Sequence, residues 1–296
     1  MKTFKSLTMV LGLLLAATMT SCKPEPIEEP SSKLKIKQIY YSDPQTEKTP
    51  FQSWDWSEDH LVSITHYSDS YLKKAWIETF TYENDKIIRV DNLTYGEHIN
   101  YSYNEDQLKT ATIFEDNDII CSWSISYDNN KISKLQGTFF DYFFKNKGSE
   151  KLLNPLSHLF PHNICERLET CQKQLMMKHR GNRNEIMNII LTWTGDNISK
   201  IIVSFDDDLT TLVMEYDDKQ CPMYGMTGNL EDYIIGLSMG STSFSKNNVK
   251  QIIFTEDDET DTIHFAYQYN NENYPILETM YDNENEDYKN VFYYEY

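Results

Sequence analysis

One short pattern, repeated about every 20 to 25 residues in the first half of the chain, constrains the fold more than any other feature. An aromatic or apolar residue is followed by any residue, a second aromatic residue, two or three acidic or amide residues, a basic or polar residue and an apolar residue. Such repetition predicts one supersecondary unit used many times. Clear copies start at Trp54, Phe80, Tyr101, Ile125 and Leu191, a looser copy at Phe244, and degenerate copies at Tyr216 and Tyr267.

Each copy has the chemistry of a β-hairpin. The alternating aromatic residues lie on one face of a strand, because strand side chains alternate at period two. The Asn and Asp residues that follow favour a tight turn, since their short side chains hydrogen-bond the local backbone and tolerate positive φ. The next strand resumes the alternation, as in residues 201–205. The pattern predicts an all-β fold, a large antiparallel meander of roughly 12 to 16 strands.

A barrel embedded in a bilayer is the alternative that this meander raises. Its strands would need a continuous apolar band facing lipid, where a central Lys or Arg costs about 2–4 kcal/mol. No girdle pattern is clear, and basic residues stand where return strands begin, namely Arg89, Lys134, Lys200 and Lys250. We therefore predict a soluble, lipid-tethered sheet rather than a membrane-spanning barrel.

The N-terminus has the features of a lipoprotein signal peptide. Lys2 and Lys5 precede an apolar run over residues 7–19, which is too short to span a bilayer. The run ends in Met-Thr-Ser-Cys, which resembles the lipobox read by lipoprotein signal peptidase. We predict that residues 1–21 are removed and that Cys22 is the lipid-attachment residue. The alternative is an ordinary cleaved signal with an incidental cysteine.

A segment rich in proline and glutamate, residues 22–33, predicts a lipidated, flexible tether. Lys23 followed by acidic residues resembles the surface-export signal of Bacteroidetes lipoproteins, so we expect an outer-membrane location at the cell surface. The chain has 27 basic and 46 acidic residues, and loss of residues 1–21 would leave a net charge of −21. A domain this acidic repels anionic lipid, so we expect it to contact the membrane only through its lipid anchor. It also lacks the basic face that nucleic-acid binding requires, so no nucleic-acid partner is expected.

Residues 141–190 interrupt the repeat within a single β domain, residues 34–296. They hold eight basic and five acidic residues, whereas the rest of the mature chain has a net charge of −24. Strand alternation is weak there, Pro155 and Pro161 mark loops, and residues 166–178 have the pattern of a short helix. We predict an irregular, partly helical excursion that covers a sheet edge or serves as a binding segment.

The sequence contains no recognisable catalytic or cofactor signature. No nucleophile elbow, phosphate loop or dinucleotide motif is present, so no cofactor is expected. His158 and His162 have the spacing of a helical metal pair, but the proline between them disfavours a helix. The acidic clusters within residues 206–208, 256–261 and 282–287 lack calcium-loop spacing, which favours solvated turns. No metal site is predicted.

Four cysteines besides Cys22 leave the disulfide pattern open. The cell envelope permits disulfides, and four cysteines allow three pairings, while buried free thiols fit the sequence as well. The four residues are Cys121, Cys165, Cys171 and Cys221.

The aromatic residues are the remaining functional lead. Surface Trp and Tyr side chains can stack on sugar rings, a role that would suit a surface lipoprotein. At repeat positions the core interpretation is favoured, because each aromatic side chain buries about 150–250 Å². It applies to Trp54, Trp56, Trp123 and Trp193, whereas the place of Trp76 is open.

The lipobox, the repeated turns and residues 216–225 together resemble the domain of unknown function 4595 family, a group of Bacteroidetes lipoproteins. The resemblance covers most of the mature chain, although Cys221 stands where the family favours Asn. The repeats are also similar to the Tyr-Asp repeats of large secreted shell proteins. The resemblance implies a porin-like fold, as a curved sheet or partial barrel, and supplies no catalytic residues.

Three functions remain open at this stage. The leading hypothesis is a non-enzymatic binding or scaffold module anchored in the outer membrane, with a glycan or an envelope protein as partner. The rival is a glycan-active hydrolase that uses a carboxylate pair on a concave face. The third is a docking subunit that uses the basic segment 141–190.

Overall fold

The computed structural model is a closed antiparallel barrel of sixteen strands, in which consecutive strands pair and β16 pairs with β1. The structure describes residues 34–42, 47–67, 75–94, 96–115, 117–140, 185–205, 208–222, 224, 245–256, 259–282 and 289–296. The strands are β1 Gln38–Ser42, β2 Thr49–Ser57, β3 His60–His66, β4 Trp76–Glu83, β5 Lys86–Asn92, β6 Glu97–Asn104, β7 Gln107–Glu115, β8 Asp118–Asp128, β9 Lys131–Phe139, β10 Glu185–Thr194, β11 Asn197–Phe205, β12 Asp208–Gln220, β13 Asn247–Glu256, β14 Glu259–Tyr269, β15 Pro275–Asp282 and β16 Asn290–Glu295. The all-β antiparallel meander predicted from the repeat is confirmed, and it closes completely.

The hairpin turns use the residues that the repeat predicts. Asn84 and Asp85 both have positive φ, 50° and 63°, and Asn129 and Asn130 have 50° and 62°. Positive φ at both central residues gives a twist that matches the flanking strands, and Asn and Asp tolerate it better than most residues. The turn chemistry read from the sequence is therefore confirmed at these corners.

A register shift precedes the second aromatic residue of most repeats. It falls at positions 55/56, 81/82, 102/103, 126/127, 192/193 and 215/216. An extra residue in one strand bends that strand and increases its twist. The repeated irregularity therefore curves each hairpin in the same way, which favours closure of the wall.

The wall has an apolar face and a polar face. Successive register partners on β4–β9 are each at most 9% exposed: Phe80, Val90, Ile99, Ile113, Cys121 and Phe139. The opposite face carries cross-strand polar pairs, such as Ser102–Thr110 at 2.6 Å and Gln136–Asn188 at 3.0 Å. The buried apolar face is thus the inner one. A circular barrel of sixteen strands would enclose an aqueous channel, whereas these inner side chains of β4–β9 are shielded from water.

The two ends of the barrel differ. The end that we name the turn rim holds the strand ends joined by the connections after even-numbered strands, from β2–β3 to β14–β15, together with the start of β1 and the end of β16. The opposite end, the loop rim, holds the strand ends that flank the connections after odd-numbered strands, including that between β9 and β10. Residues Lys35–Tyr296 form one compact unit. Among the described residues, no helix is long and apolar enough to cross a membrane.

The irregular excursion predicted for residues 141–190 is wrong at its C-terminal end. Residues 185–190 belong to β10, where Met187 and Ile189 alternate with outward residues and pair with Gly137 and Leu135 of β9. Residues 185–190 thus form part of a strand although their alternation of inward and outward side chains is short. The rest of that segment, including the helix predicted for residues 166–178, lies outside the described residues.

The second aromatic residue of a repeat joins neighbouring hairpins at the turn rim. Backbone pairing between β3 and β4 stops at Ser63–Thr79, short of the rim. Beyond that point the aromatic side chain donates a hydrogen bond to a carbonyl near the start of the preceding strand, which the backbone ladder does not reach. These donor–acceptor pairs span 2.6–3.0 Å: Trp56–Ile36, Tyr82–Leu61, Tyr103–Ile87, Trp193–Ile132 and Tyr216–Ile198.

The basic residue of the repeat makes a second connection between hairpins. Lys86 donates to the carbonyl of Glu105 in the next turn, forms a 2.8 Å ion pair with Asp106, and lies 5.4 Å from the ring centroid of Tyr103. Equivalent contacts link Lys35 with Asp59 and Trp56, and Lys131 with Asp196 and Trp193. The repeat thus encodes both the hairpin and its attachment to the next hairpin.

Candidate functional site: two inward-facing polar clusters

Two groups of polar side chains interrupt the apolar inner face. The first, named the packed cluster, comprises Gln52, His66, Glu78, Asn92, Glu97 and Glu115 on β2–β7. The second, named the open cluster, comprises Phe265, Tyr267, Glu278 and Tyr294 on β14–β16. Both follow from register, because their members alternate along the strands with outward residues.

A directed chain of hydrogen bonds runs through the packed cluster. Trp54 Nε1–H donates to Gln52 Oε1 at 3.1 Å, which leaves the amide Nε2 of Gln52 to donate to His66 Nδ1 at 3.3 Å. His66 Nε2 therefore carries the proton and donates it to Glu78 Oε2 at 2.8 Å. Trp54 therefore sets the tautomer of His66 indirectly, because it fixes the orientation of the Gln52 amide.

Protein atoms enclose this part of the interior. Gln52 is 6%, His66 5% and Glu78 4% exposed, and the ring of His66 stacks on Trp76 with centroids 4.4 Å apart. A ligand would have no free surface to contact here. The His–Glu pair resembles part of a catalytic arrangement in composition, but its burial indicates a structural role.

Carboxyl groups continue the packed cluster toward β7. Glu97, which is 8% exposed, is the register partner of Asn92 on one side and of Glu115 on the other. The Oε2 atom of Glu115 is buried and has no hydrogen-bond partner among the residues that the structure describes. Like charges directly across a strand pair destabilise a sheet, and an unsatisfied buried oxygen adds to that cost.

Glu278 defines the open cluster. Its Oε2 accepts a hydrogen bond from the Tyr294 hydroxyl at 2.8 Å, while Oε1 makes no hydrogen bond within the described part of the chain. Burial raises the pKa of Glu278 to about 7, against the smaller opposite effect of the Tyr294 hydrogen bond. The side chain nevertheless remains half-buried rather than enclosed, so water reaches it inside the barrel.

Aromatic rings surround this carboxyl group. Tyr267 is its register partner on β14, and the hydroxyl of Tyr267 donates to the Val249 carbonyl at 2.8 Å. Burial raises the pKa of Tyr267 and of Tyr294 well above the ordinary value, so both stay neutral. Other inner residues in this half of the wall are also half-buried, namely Met187, Ile189, Val203, Leu212 and Phe265.

The tryptophans lie where the core interpretation placed them. Trp54 is 6% and Trp123 is 3% exposed, and Trp76, whose place the sequence left open, is 9% exposed. Trp56 and Trp193 are half-buried at the turn rim, where each indole N–H bonds a carbonyl at 2.7 Å. The tryptophans among the described residues are therefore parts of the wall rather than exposed platforms for sugar rings.

Two of the five cysteines lie among the described residues. Cys121 is a buried free thiol, and Cys221 is half-buried. Burial raises the pKa of the Cys121 thiol. Cys22, Cys165 and Cys171 lie outside the described residues, as do His158 and His162.

Three further histidines, His66, His98 and His264, make separate contacts. His66 points inward, whereas His98 stacks on Phe114 and His264 on Tyr281 at centroid distances of 4.6 and 5.3 Å. Across the described ranges, no group of three or more His, Cys, Asp or Glu residues is arranged to hold a metal ion.

Sequence reasoning did not identify Glu278. The register shift at Gln268 and Tyr269 breaks the alternation between the repeat and β15, so inward positions cannot be counted across that turn. Met280 lies two residues further along β15 and is fully buried. Residues two apart in a strand share a face, so an apolar residue at position 280 is the signal that identifies Glu278 as inward.

Comparisons with known proteins support the fold. No protein-family model matches the chain, and no curated protein matches it. The structure is similar to a porin-like protein from Bacteroides uniformis ATCC 8492, with a TM-score of 0.50 and 11% identity over 90% of this chain and 99% of that one. It is also similar to a porin-like protein from Bacteroides vulgatus ATCC 8482, with a TM-score of 0.35 and 11% identity over 88% and 98% of the two chains.

The first of these similarities shows a shared porin-like fold, which the sequence resemblance had implied. The resemblance to the domain of unknown function 4595 family has no family match to confirm it.

Proposed function

We propose that this chain is a non-enzymatic binding barrel of the cell envelope, with its wall in water and its attachment to the outer membrane made by lipid on Cys22. The observation that carries the proposal is the polarity of the wall. A barrel that spans a bilayer directs apolar residues outward and polar residues inward, whereas this wall does the opposite.

The outer face offers no continuous apolar band within the described strands. Ile190 and Val213 are exposed there, at 43% and 39%, and each has an isoleucine as one register partner but a lysine, Lys134 or Lys200, as the other. A lysine facing lipid costs about 2–4 kcal/mol at mid-depth. A separate anchor is therefore needed for membrane attachment, and a lipidated cysteine supplies one.

The half-buried inner residues of β10–β16 support a binding role. Small-molecule sites are mostly apolar and supplied with a few polar groups, as are the open cluster and its neighbours. The rival hydrolase requires two carboxyl groups about 5 or 6.5–9.5 Å apart across an accessible cleft. Glu97 and Glu115 are adjacent but lie where the interior is packed, and the hydrogen-bond partner of Glu278 is a phenol.

Attachment is tested by fractionation of cells that express the full chain. With Cys22→Ala, we expect loss of acyl labelling by an alkyne-tagged fatty acid and release of the protein from the membrane fraction. Cys221→Ala is the matched control and should remain labelled and membrane-bound. A Cys22→Ala protein that resists alkaline carbonate extraction would contradict the proposal, because the wall itself would then be embedded.

Glycans are the proposed partners at the outer surface. Tyr40 and Tyr293 flank Lys48, whose Nζ lies 4.1 and 4.8 Å from the two ring centroids. A sugar ring could replace the lysine between them. A glycan array followed by calorimetry tests this with the Cys22→Ala chain, and loss of the strongest signal in Tyr40→Ala, but not in Tyr281→Ala, is the expected result. Turnover of any array glycan would reject the non-enzymatic assignment.

An envelope-protein partner that contacts residues 141–190 remains the second proposed interaction. Deletion of residues 141–184, which leaves β10 intact, should abolish co-purification of such a partner. Unchanged co-purification would count against that contact.

A further inference from the structure

We propose that Glu278 and the aromatic rings around it form an interior binding site for an organic cation, an amine attached to an apolar body. The inference deepens the proposed binding function by naming the class of ligand and the group that recognises it.

One oxygen of the Glu278 carboxyl group is available to a ligand. Tyr294 occupies Oε2, which fixes the carboxyl group, while Oε1 lacks a hydrogen-bond partner in the described part of the chain. The side chain lies deep in the wall yet remains accessible to water. The site therefore has one unused acceptor on an immobilised carboxyl group.

Among the described residues, no cation compensates the charge of this carboxyl group. Its pKa is set by burial and by Tyr294, and no lysine or arginine of the described strands contributes. Tyr267 and Tyr294, which face it from β14 and β16, are neutral phenols. A buried carboxylate is stabilised by a partner of opposite charge, so a cation gains more from this position than a neutral or anionic group.

The surrounding rings suit a weakly hydrated cation. Tyr267 and Tyr294 are held by hydrogen bonds to Val249 and Glu278, and Phe265 lies two residues from Tyr267 on the same face. Aromatic faces attract ammonium groups, most strongly when these are desolvated. A divalent metal would need several oxygen ligands, whereas no such group is present among the described residues. A sugar would need more hydrogen-bond partners than one free oxygen.

The size of the ligand is limited by its neighbours. Met280 is fully buried and Phe292 is 7% exposed beside Glu278, so the ligand body lies toward the half-buried residues of β14. A single ring on a short chain fits this description better than a polymer.

Three ligands with the same apolar body test the inference: phenylpropylamine, phenylpropanol and phenylpropanoate. Calorimetry on the Cys22→Ala chain should rank the amine above the alcohol and the alcohol above the carboxylate. Amine affinity should rise about 30-fold between pH 5.5 and 8, as the carboxyl group ionises. Preference for phenylpropanoate, or no binding of any of the three, would overturn the inference.

Variants assign the effect to Glu278. Glu278→Gln should reduce amine affinity at pH 8 at least tenfold and remove its pH dependence, with alcohol binding unchanged. Glu115→Gln, an inward carboxyl group in the packed cluster, is the matched control and should behave like the parent chain. Tyr294→Phe should retain the amine preference, because it leaves the carboxyl group in place. Unaltered amine binding in a folded Glu278→Gln protein would overturn the inference.

Failure here is separable from failure of the proposed function. Glycan binding or lipid attachment without amine binding would reject the interior cation site alone. Amine binding by a chain that is carbonate-resistant without Cys22 would reject the lipid-anchored barrel and keep the site.

Discussion

The β2–β9 half and the β10–β16 half of the wall share one repeat but differ in what fills the space behind it. Inner positions of the first half carry large rings that are at most 9% exposed, including Trp54, Trp76, Phe80 and Trp123. Inner positions of β10–β12 carry smaller side chains: Met187, Ile189, Val203 and Leu212 are half-buried, while Leu191, Ile201 and Met214 are at most 6% exposed. The repeat thus determines the wall, while the volume of the inward side chains differs between its two halves.

Matched truncations should separate the two halves most strongly. Trp123→Ala removes a ring that packs edge-on against Phe139 and should cost about 4 kcal/mol of unfolding free energy, because a cavity remains. Phe265→Ala should cost about 1–2 kcal/mol, since that ring is already half-exposed. Denaturant unfolding measures both, and equal costs would show that the interior is packed throughout.

The pH dependence of stability should also distinguish the halves. The pKa of Glu278 is about 7 in the folded chain against an ordinary value of 4.5, so the folded state binds this proton more tightly. Its contribution to stability is complete below pH 4.5 and is lost as pH rises to 7, by up to about 3 kcal/mol. Glu278→Gln should flatten the curve in this window, which thermal melts at pH 5 and pH 8 test. A parallel curve for the variant would contradict the assignment.

Gly137 marks the boundary between the halves. A Cβ at this position would lie 2.8 Å from two ring atoms of Trp123, its cross-strand partner on β8. Gly137→Ala should therefore destabilise the fold by about 2 kcal/mol through overpacking. Gly195→Ala is the control: nothing lies within 4 Å, and only its φ of +57° opposes the change, by about 1 kcal/mol. A cost for Gly137→Ala below that of the control would mean that Trp123 moves freely.

The smallest expected effect is a gain. Glu115→Gln replaces a carboxyl group that faces Glu97 with an amide able to donate to it, which should stabilise the chain by about 1 kcal/mol. Glu105→Gln, at a turn-rim corner, should change little. Calorimetric melts at pH 8 check the pair, and a loss of stability in Glu115→Gln would indicate that its charge is used.

The sequence predicted the hairpins well because their determinants are local. Asn84 and Asp85 adopt the positive φ that their side chains favour, and the alternating aromatic residues lie on the inner face. The paired roles of Tyr82 and Lys86 were not foreseen, because their partners lie on neighbouring hairpins. Adjacent copies of a motif show that a contact recurs, but not which atoms make it.

Closure and the open cluster could not be read from the pattern. Pairing of β1 with β16 joins the ends of the wall, and no local alternation specifies it. The inward position of Glu278 was hidden by a register shift, which reverses the face of every later residue. The first six residues of β10 were not predicted as a strand. So short an alternation is a weak signal in the sequence, and pairing with β9 is what makes these residues a strand.

The seam between the first and last strands has a consequence for how the chain matures. Lys37 and Tyr296 are 259 residues apart and are joined by a 3.0 Å hydrogen bond, so this contact closes a very long loop. Until β16 arrives, β1 and the newest strand are both unpaired edges, which are prone to join other chains. The chain therefore stays aggregation-prone until the six-residue β16 pairs with β1, and its yield on refolding should fall as the protein concentration rises.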